Sequence, residues 1–153
     1  MKTFFIGIDP GKNGGIAHIN AINNYTETVA YSNEALIQLC TDLFYGTADC
    51  QNIVCCLEKV GAMPGQGVVS MFNFGQSVGY IKGVLESFHI PYQEITPQKW
   101  KREFGLSSDK TKSAEVCRKL FPDVNLLATP RCKKPHDGMA EALLMAEYAR
   151  RKL

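Results

Sequence analysis

Apolar positions along the chain change their period several times, and each change marks an element. Thr3 to Asp9 (TFFIGID) is rich in β-branched and aromatic residues and predicts a strand that ends on a carboxylate. The following Pro10 to Gly15 stretch (PGKNGG) is a dense turn signal, and the apolar run Ile16 to Ile19 after it predicts an antiparallel partner strand. Tyr25 to Tyr31 alternates as a third strand would. From Asn33 to Tyr45 the spacing becomes helical, with Leu36, Ile37, Leu39, Cys40, Leu43 and Phe44 on one side and Asn33 placed to cap the start. Ile53 to Leu57 is continuously apolar, which predicts a strand buried on both faces and parallel to its neighbours.

The Gly61 to Gly67 segment (GAMPGQG) excludes regular structure. A helix is expected from Ser70 to Phe88, a short strand from Tyr92 to Ile95, a helix opening at Pro97, another from Asp109 to Leu120, and a last one from about His136 to Arg151. The order βββαβαβααα describes an α/β protein: a mixed sheet that begins as an antiparallel β-meander and continues through helical crossovers, with helices on both faces. At 153 residues and 45% hydrophobic, the chain has material for one well-packed core, so residues 1–153 are expected to form a single domain. Met1 to Ile8 lacks the features of a signal peptide, and no run approaches the roughly 20 apolar residues of a membrane span. The expected setting is therefore cytoplasmic (the host cytoplasm if the chain is viral), with no membrane partner.

Net charge is only +2, but its distribution is uneven. Between Pro97 and Lys134 there are ten basic residues against four acids, whereas the rest of the chain has seven against eleven. A basic segment on an acidic body suits a polyanion that must approach carboxylates, although a solvated helical surface would look the same. The six cysteines contain no C-x-x-C pair, and Cys55 and Cys56 lie inside an apolar run. They read as small core residues in a reducing compartment, which excludes a zinc site or a disulfide framework.

Four acids stand where apolar or turn residues would be expected. Asp9 ends the first strand, Glu58 ends the central apolar run, and Asp137 and Glu141 open the final helix. A carboxylate at the end of an interior strand is costly without a compensating cation or donors. Residues four apart share a helix face, so Asp137 and Glu141 can aim at one spot. The resulting all-oxygen set suits Mg²⁺ or Mn²⁺ rather than zinc, and two such ions would support hydrolysis of a phosphodiester. Individually these acids have simpler readings: Asp9 as a turn former before Pro10, Glu58 as a strand-exit acid, Asp137 as a helix cap. A capping box would require Glu at position 140, where Ala140 stands.

These segments, taken in order, resemble the RuvC family of Holliday junction resolvases, of the RNase H-like superfamily. IGIDPG (Ile6 to Gly11) is similar to the family's first strand with its catalytic Asp, and Leu57-Glu58 to its second acidic position. Gly75-Gln76-Ser77-Val78-Gly79 resembles the Gly-Gln-x-x-Gly of the next helix, Lys112-Ser113 the Lys-Ser opening of a later one, and HDGMAEALLMA (His136 to Ala146) the acidic closing helix. The resemblance implies an RNase H-like fold, with Asp9, Glu58, Asp137 and Glu141 as ligands of two divalent ions. It further implies Lys112, and with it Lys101, on the scissile phosphate, and a homodimer that nicks four-way or branched DNA symmetrically to leave 5′-phosphate and 3′-hydroxyl ends. Lys99, Arg102 and Lys110 join these two lysines as expected DNA contacts. The family often ends its metal shell with Asp and spaces the two helix acids three apart; here the second is Glu141, at a spacing of four. Some relatives place a junction-wedging aromatic shortly after the second acid, whereas this chain has Gly61 there and Met63 as the nearest bulky residue, expected to enter the junction.

Other readings differ in chemistry. An actin-like ATPase or sugar kinase also opens with an Asp-containing hairpin, but the turn here lacks Ser or Thr and the chain is too short for two lobes. A module that binds branched DNA or structured RNA without cutting it, and an RNase H-like nuclease with another substrate, are the remaining alternatives.

Overall fold

The computed structural model describes residues 1–46, 52–109 and 111–153, so Cys50 and Lys110 lie outside the described residues. The elements follow the expected order: β1 (Phe4–Asp9), β2 (Gly15–Asn20), β3 (Tyr25–Ala30), α1 (Asn33–Gly46), β4 (Ile53–Glu58), α2 (Val68–Ser87), β5 (Tyr92–Ile95), α3 (Pro97–Glu103), α4 (Thr111–Leu120) and α5 (Asp137–Lys152). The five strands form one sheet in the order β3-β2-β1-β4-β5. β1, β2 and β3 pair antiparallel, and β4 runs parallel to both β1 and β5. This is the mixed α/β sheet read from the hydrophobic pattern, and the parallel pairing explains why β4 is buried at every position.

Strand alternation assigns each side chain to a face. Ile6 and Ile8 of β1, with Ile53, Cys55 and Leu57 of β4, pack under α1 and α2 against Leu36, Cys40, Ile81 and Leu85. The intervening positions, Phe5 of β1 and Val54 and Cys56 of β4, face the other way and meet Trp100, Cys117 and the apolar residues of α5. Asp9 and Glu58 continue this second series, so strand periodicity alone turns both carboxylates toward α5. Each fully buried Ile or Leu here contributes roughly 1.5–3 kcal/mol of hydrophobic stabilisation.

Helix α5 is the internal strut: Gly138 to Ala149 are all buried, covered by the sheet on one side and by α3 and α4 on another. It approaches the sheet so closely that a Cβ on Gly7 would collide with the Ala142 carbonyl and the Ala146 amide, and one on Gly138 with the backbone of Asn13 and Gly14. Thr28 donates its hydroxyl to the Met139 carbonyl at 2.8 Å, tying the helix start to β3. At its other end, Glu103 of α3 pairs with Arg151 at 3.5 Å and Lys152 at 3.2 Å. These contacts fix α3 against α5.

Several boundaries differ from expectation for local reasons. Ser32, not Asn33, caps α1: its hydroxyl accepts from the Ala35 amide at 3.0 Å. The first regular turn of α4 begins at Thr111 because Asp109 spends its carboxylate on the Thr111 amide at 3.0 Å. The cap of α5 is His136, whose Nδ1 accepts from the Met139 amide at 3.1 Å, so Asp137 is the first helical residue. Four of the described cysteines are buried as expected, but Cys132 is exposed. Among the described residues, no helix is long and apolar enough to cross a membrane.

Candidate metal centre

The ends of β1 and β4 lie side by side, with Ile8 paired to Leu57, which brings Asp9 next to Glu58. Glu141 comes down from α5, one turn after Gly138, on the helix stripe that presses on the sheet. Carboxylate oxygens of Asp9, Glu58 and Glu141 all lie within 4.8 Å of one another. Glu58 and Glu141 are only 8% and 7% exposed, so bulk water does little to screen three converging acids.

The electrostatic consequence is a strong drive to neutralise. Asp9 is pushed up to about 9 from an ordinary 3.8, first by burial, then by the charges of Glu58 and Glu141. Burial also raises Glu58, opposed by its hydrogen bond from Trp100, whose Nε1 donates to Oε1 at 3.1 Å. Lys101 is the one cation ion-paired to the triad among the described residues, its Nζ 3.5 Å from Glu141 Oε1. That oxygen is buried and receives no hydrogen bond. A buried carboxylate oxygen that has only a lysine at ion-pair distance, inside an all-oxygen cluster, fits a hard divalent cation, Mg²⁺ or Mn²⁺, better than the softer ions that seek sulfur or imidazole.

Of the expected acids, the fold thus brings together Asp9, Glu58 and Glu141. Asp137 is not in the triad; it is exposed in the first turn of α5, four residues (about 6 Å of rise) before Glu141. Among the expected DNA contacts, Lys101 is half-buried beside the triad, whereas Lys99 and Arg102 on α3 and Lys112 in the first turn of α4 are exposed. Met63 is 65% exposed in the irregular 61–67 segment. Trp100, although flanked by Lys99 and Lys101, is fully buried and serves as a core anchor rather than an exposed ring on which a base could stack. Its second task, orienting Glu58, left no trace in the sequence, because the donor and acceptor are 42 residues apart.

Comparison with known proteins places the fold. No family model and no curated protein sequence matches the chain. Among solved structures, Thermus thermophilus RuvC in complex with a Holliday junction substrate is similar over 98% of this chain and 96% of its own, with a TM-score of 0.57 and 17% identity. A second structure of RuvC from Thermus thermophilus covers 97% and 96%, with a TM-score of 0.53 and 17% identity. The yeast mitochondrial Holliday junction resolvase Ydc2 covers 95% of this chain and 77% of its own, at 0.50 and 14%. The chain therefore has the RuvC-like RNase H fold.

Proposed function

We propose that this chain is a metal-dependent endonuclease that resolves four-way and branched DNA. The observation that carries the reading is the buried triad Asp9, Glu58 and Glu141, assembled from two strand ends and an internal helix and flanked by the basic segment that starts at α3. The same fold in two junction resolvases, one of them solved on its junction, supports the choice of substrate.

In this reading Asp9, Glu58 and Glu141 hold Mg²⁺ or Mn²⁺, with Asp137 available from the rim as a fourth ligand to a two-ion site. Ions held there would supply the chemistry of activating a water and stabilising the leaving oxygen. Trp100 holds Glu58 in one rotamer, and rigid strand ends keep Asp9 and Glu58 at fixed separation. Lys101 and Lys112 are assigned to the scissile phosphate, where a cation offsets developing negative charge. Lys99, Arg102 and Lys110 are assigned to the flanking backbone, and Met63 to the junction centre. The products are 5′-phosphate and 3′-hydroxyl ends.

The functional unit is proposed to be a homodimer, whose two-fold symmetry suits paired nicks across a junction. The exposed apolar start of α2 (Val68, Val69 and Phe72, at 85%, 73% and 66%) is surface of the kind that a second copy would cover. One single-domain nuclease per chain then gives two sites per dimer.

The test is cleavage of a labelled four-way junction, linear duplex and RNA/DNA hybrid, each with Mg²⁺, with Mn²⁺ and with chelator. Paired nicks confined to the junction and requiring metal are expected. Junction binding without cleavage in either metal would make the chain a branched-DNA binder; cutting only the hybrid would make it a ribonuclease.

A further inference from the structure

Beyond the triad, α3 borders a second recess. The chain turns sharply at Gly105, where φ is +64°, and comes back past the helix through Ser107 and Ser108. Between them lies a cavity of about 510 Å³. Volumes of several hundred Å³ hold ligands the size of one nucleotide.

Its lining sorts into three kinds of chemistry. Pro97 and Leu106 give apolar walls that can meet the face of a base. Gln98, Ser107 and Ser108 supply an amide with both donor and acceptor and two hydroxyls, the groups that pair with base edges. Lys101 and Arg102 add two cations, and Lys101 is the same side chain that stands 3.5 Å from Glu141. The recess and the acidic triad therefore share a wall. A site for a free anion would have no use for apolar walls or for a Gln edge; a nucleotide uses all three kinds.

We propose that this recess receives one unstacked nucleotide of the strand being cut, adjacent to the phosphate held at the triad, and reads its base. The inference rests on the nuclease reading and adds a source of sequence preference to it. Nucleobases taken out of the stack are read by hydrogen bonds to their edges and by contact with their faces. In this arrangement Gln98 and Ser108 set which base is accepted, and Arg102 holds the neighbouring phosphate.

The experiment measures single-turnover cleavage on four-way junctions that differ only in the nucleotides flanking the crossover, for the natural protein, Gln98→Ala and Ser108→Ala. The natural protein is expected to prefer some sequences, and the ratio of best to worst rate should fall by roughly five- to tenfold in Gln98→Ala, and by less in Ser108→Ala. An unchanged ratio in both variants, a uniform loss on every sequence, or a natural protein that cuts all sequences equally would each overturn the base-reading pocket while leaving the nuclease intact. Absence of cleavage on every junction would instead strike the nuclease reading. In that event a nuclear magnetic resonance titration decides the pocket: the four deoxynucleoside 5′-monophosphates should shift the amides of Gly105, Ser107 and Ser108, unequally by base. Equal shifts with inorganic phosphate, or none, would overturn it.

Discussion

Helices α5 and α2 are the two longest in the molecule, and they meet the sheet on opposite faces in opposite ways. α5 is buried through twelve consecutive residues from Gly138 to Ala149, and glycines on both sides of the contact let backbone lie against backbone. α2 buries only Ile81, Val84 and Leu85, exposes Val68, Val69 and Phe72, and carries Gly75, Gly79 and Gly83 with nothing within 4 Å of where a Cβ would sit. The same small residue thus has two meanings. In β1 and α5 it removes a collision; in α2 it leaves open surface at a local cost in helix stability. On the proposed reading the difference has a use: a helix that carries a metal ligand is held from several sides, and a helix that meets a second copy keeps its apolar start free.

The largest expected effect on this contrast concerns the chemistry proposed for the triad that α5 completes with Glu141. Asp9→Asn should lower junction cleavage by roughly a thousandfold or more while binding stays within a few fold, since a metal ligand acts in the chemical step. Loss of binding in parallel, seen by gel shift, would move Asp9 from chemistry to substrate docking. Glu141→Gln should behave in the same way; full activity would remove Glu141 from the site.

Next comes the packing itself. Gly7→Val should destabilise the protein by more than about 3 kcal/mol in chemical denaturation, because the intruding side chain meets α5 backbone that cannot give way. A small effect would mean that α5 can lift off the sheet. Trp100→Phe keeps the ring but deletes the donor to Glu58, and should weaken Mn²⁺ binding on the order of 10- to 100-fold by calorimetry. Unaltered affinity would show that Glu58 is oriented without it.

The pH dependence of the metal-free protein probes the triad directly. Asp9 is raised to about 9 from 3.8, so it binds its proton more tightly folded than unfolded. Such a group gives its full contribution below its unfolded pKa of 3.8 and loses it as pH climbs through about 9. The melting temperature of chelated protein is therefore expected to fall as pH rises across that window, and saturating Mg²⁺ should flatten the slope. A flat profile without metal would contradict a bare cluster of three acids. The smallest effect belongs to α2: Gly79→Ala should stabilise the isolated chain by about 0.5–1 kcal/mol, as removal of an interior helix glycine does where space is open. If a second copy sits there, the same change should weaken association in sedimentation experiments.

Much of this was legible from the chain alone, for identifiable reasons. Strands and helices with a strict period, such as β4 and α5, announce both their type and their buried face. The triad was readable because Asp9 and Glu58 stand at apolar strand ends, and Glu141 in an apolar helix, where a carboxylate needs a reason. For Asp137 the spacing of four places it on the same side of α5 as Glu141, but whether it lies inside the cluster or at its rim depends on how far along the axis the sheet reaches, which only the fold determines. Caps were misassigned where two polar residues adjoin, as at Ser32 and Asn33, since either can supply the oxygen. The Trp100 to Glu58 bond and the recess beside α3 depend on side chains meeting across turns, and no local pattern encodes them.

The molecule has a single tryptophan, and its indole is hydrogen-bonded to one of the three acids. Its emission is therefore a built-in optical gauge of that carboxylate: a cation binding at the free lone pairs of Glu58 would change the charge felt by the indole and perturb the fluorophore without any attached dye. Loading of the proposed metal site would then be followed in real time on unlabelled protein, before any DNA is added.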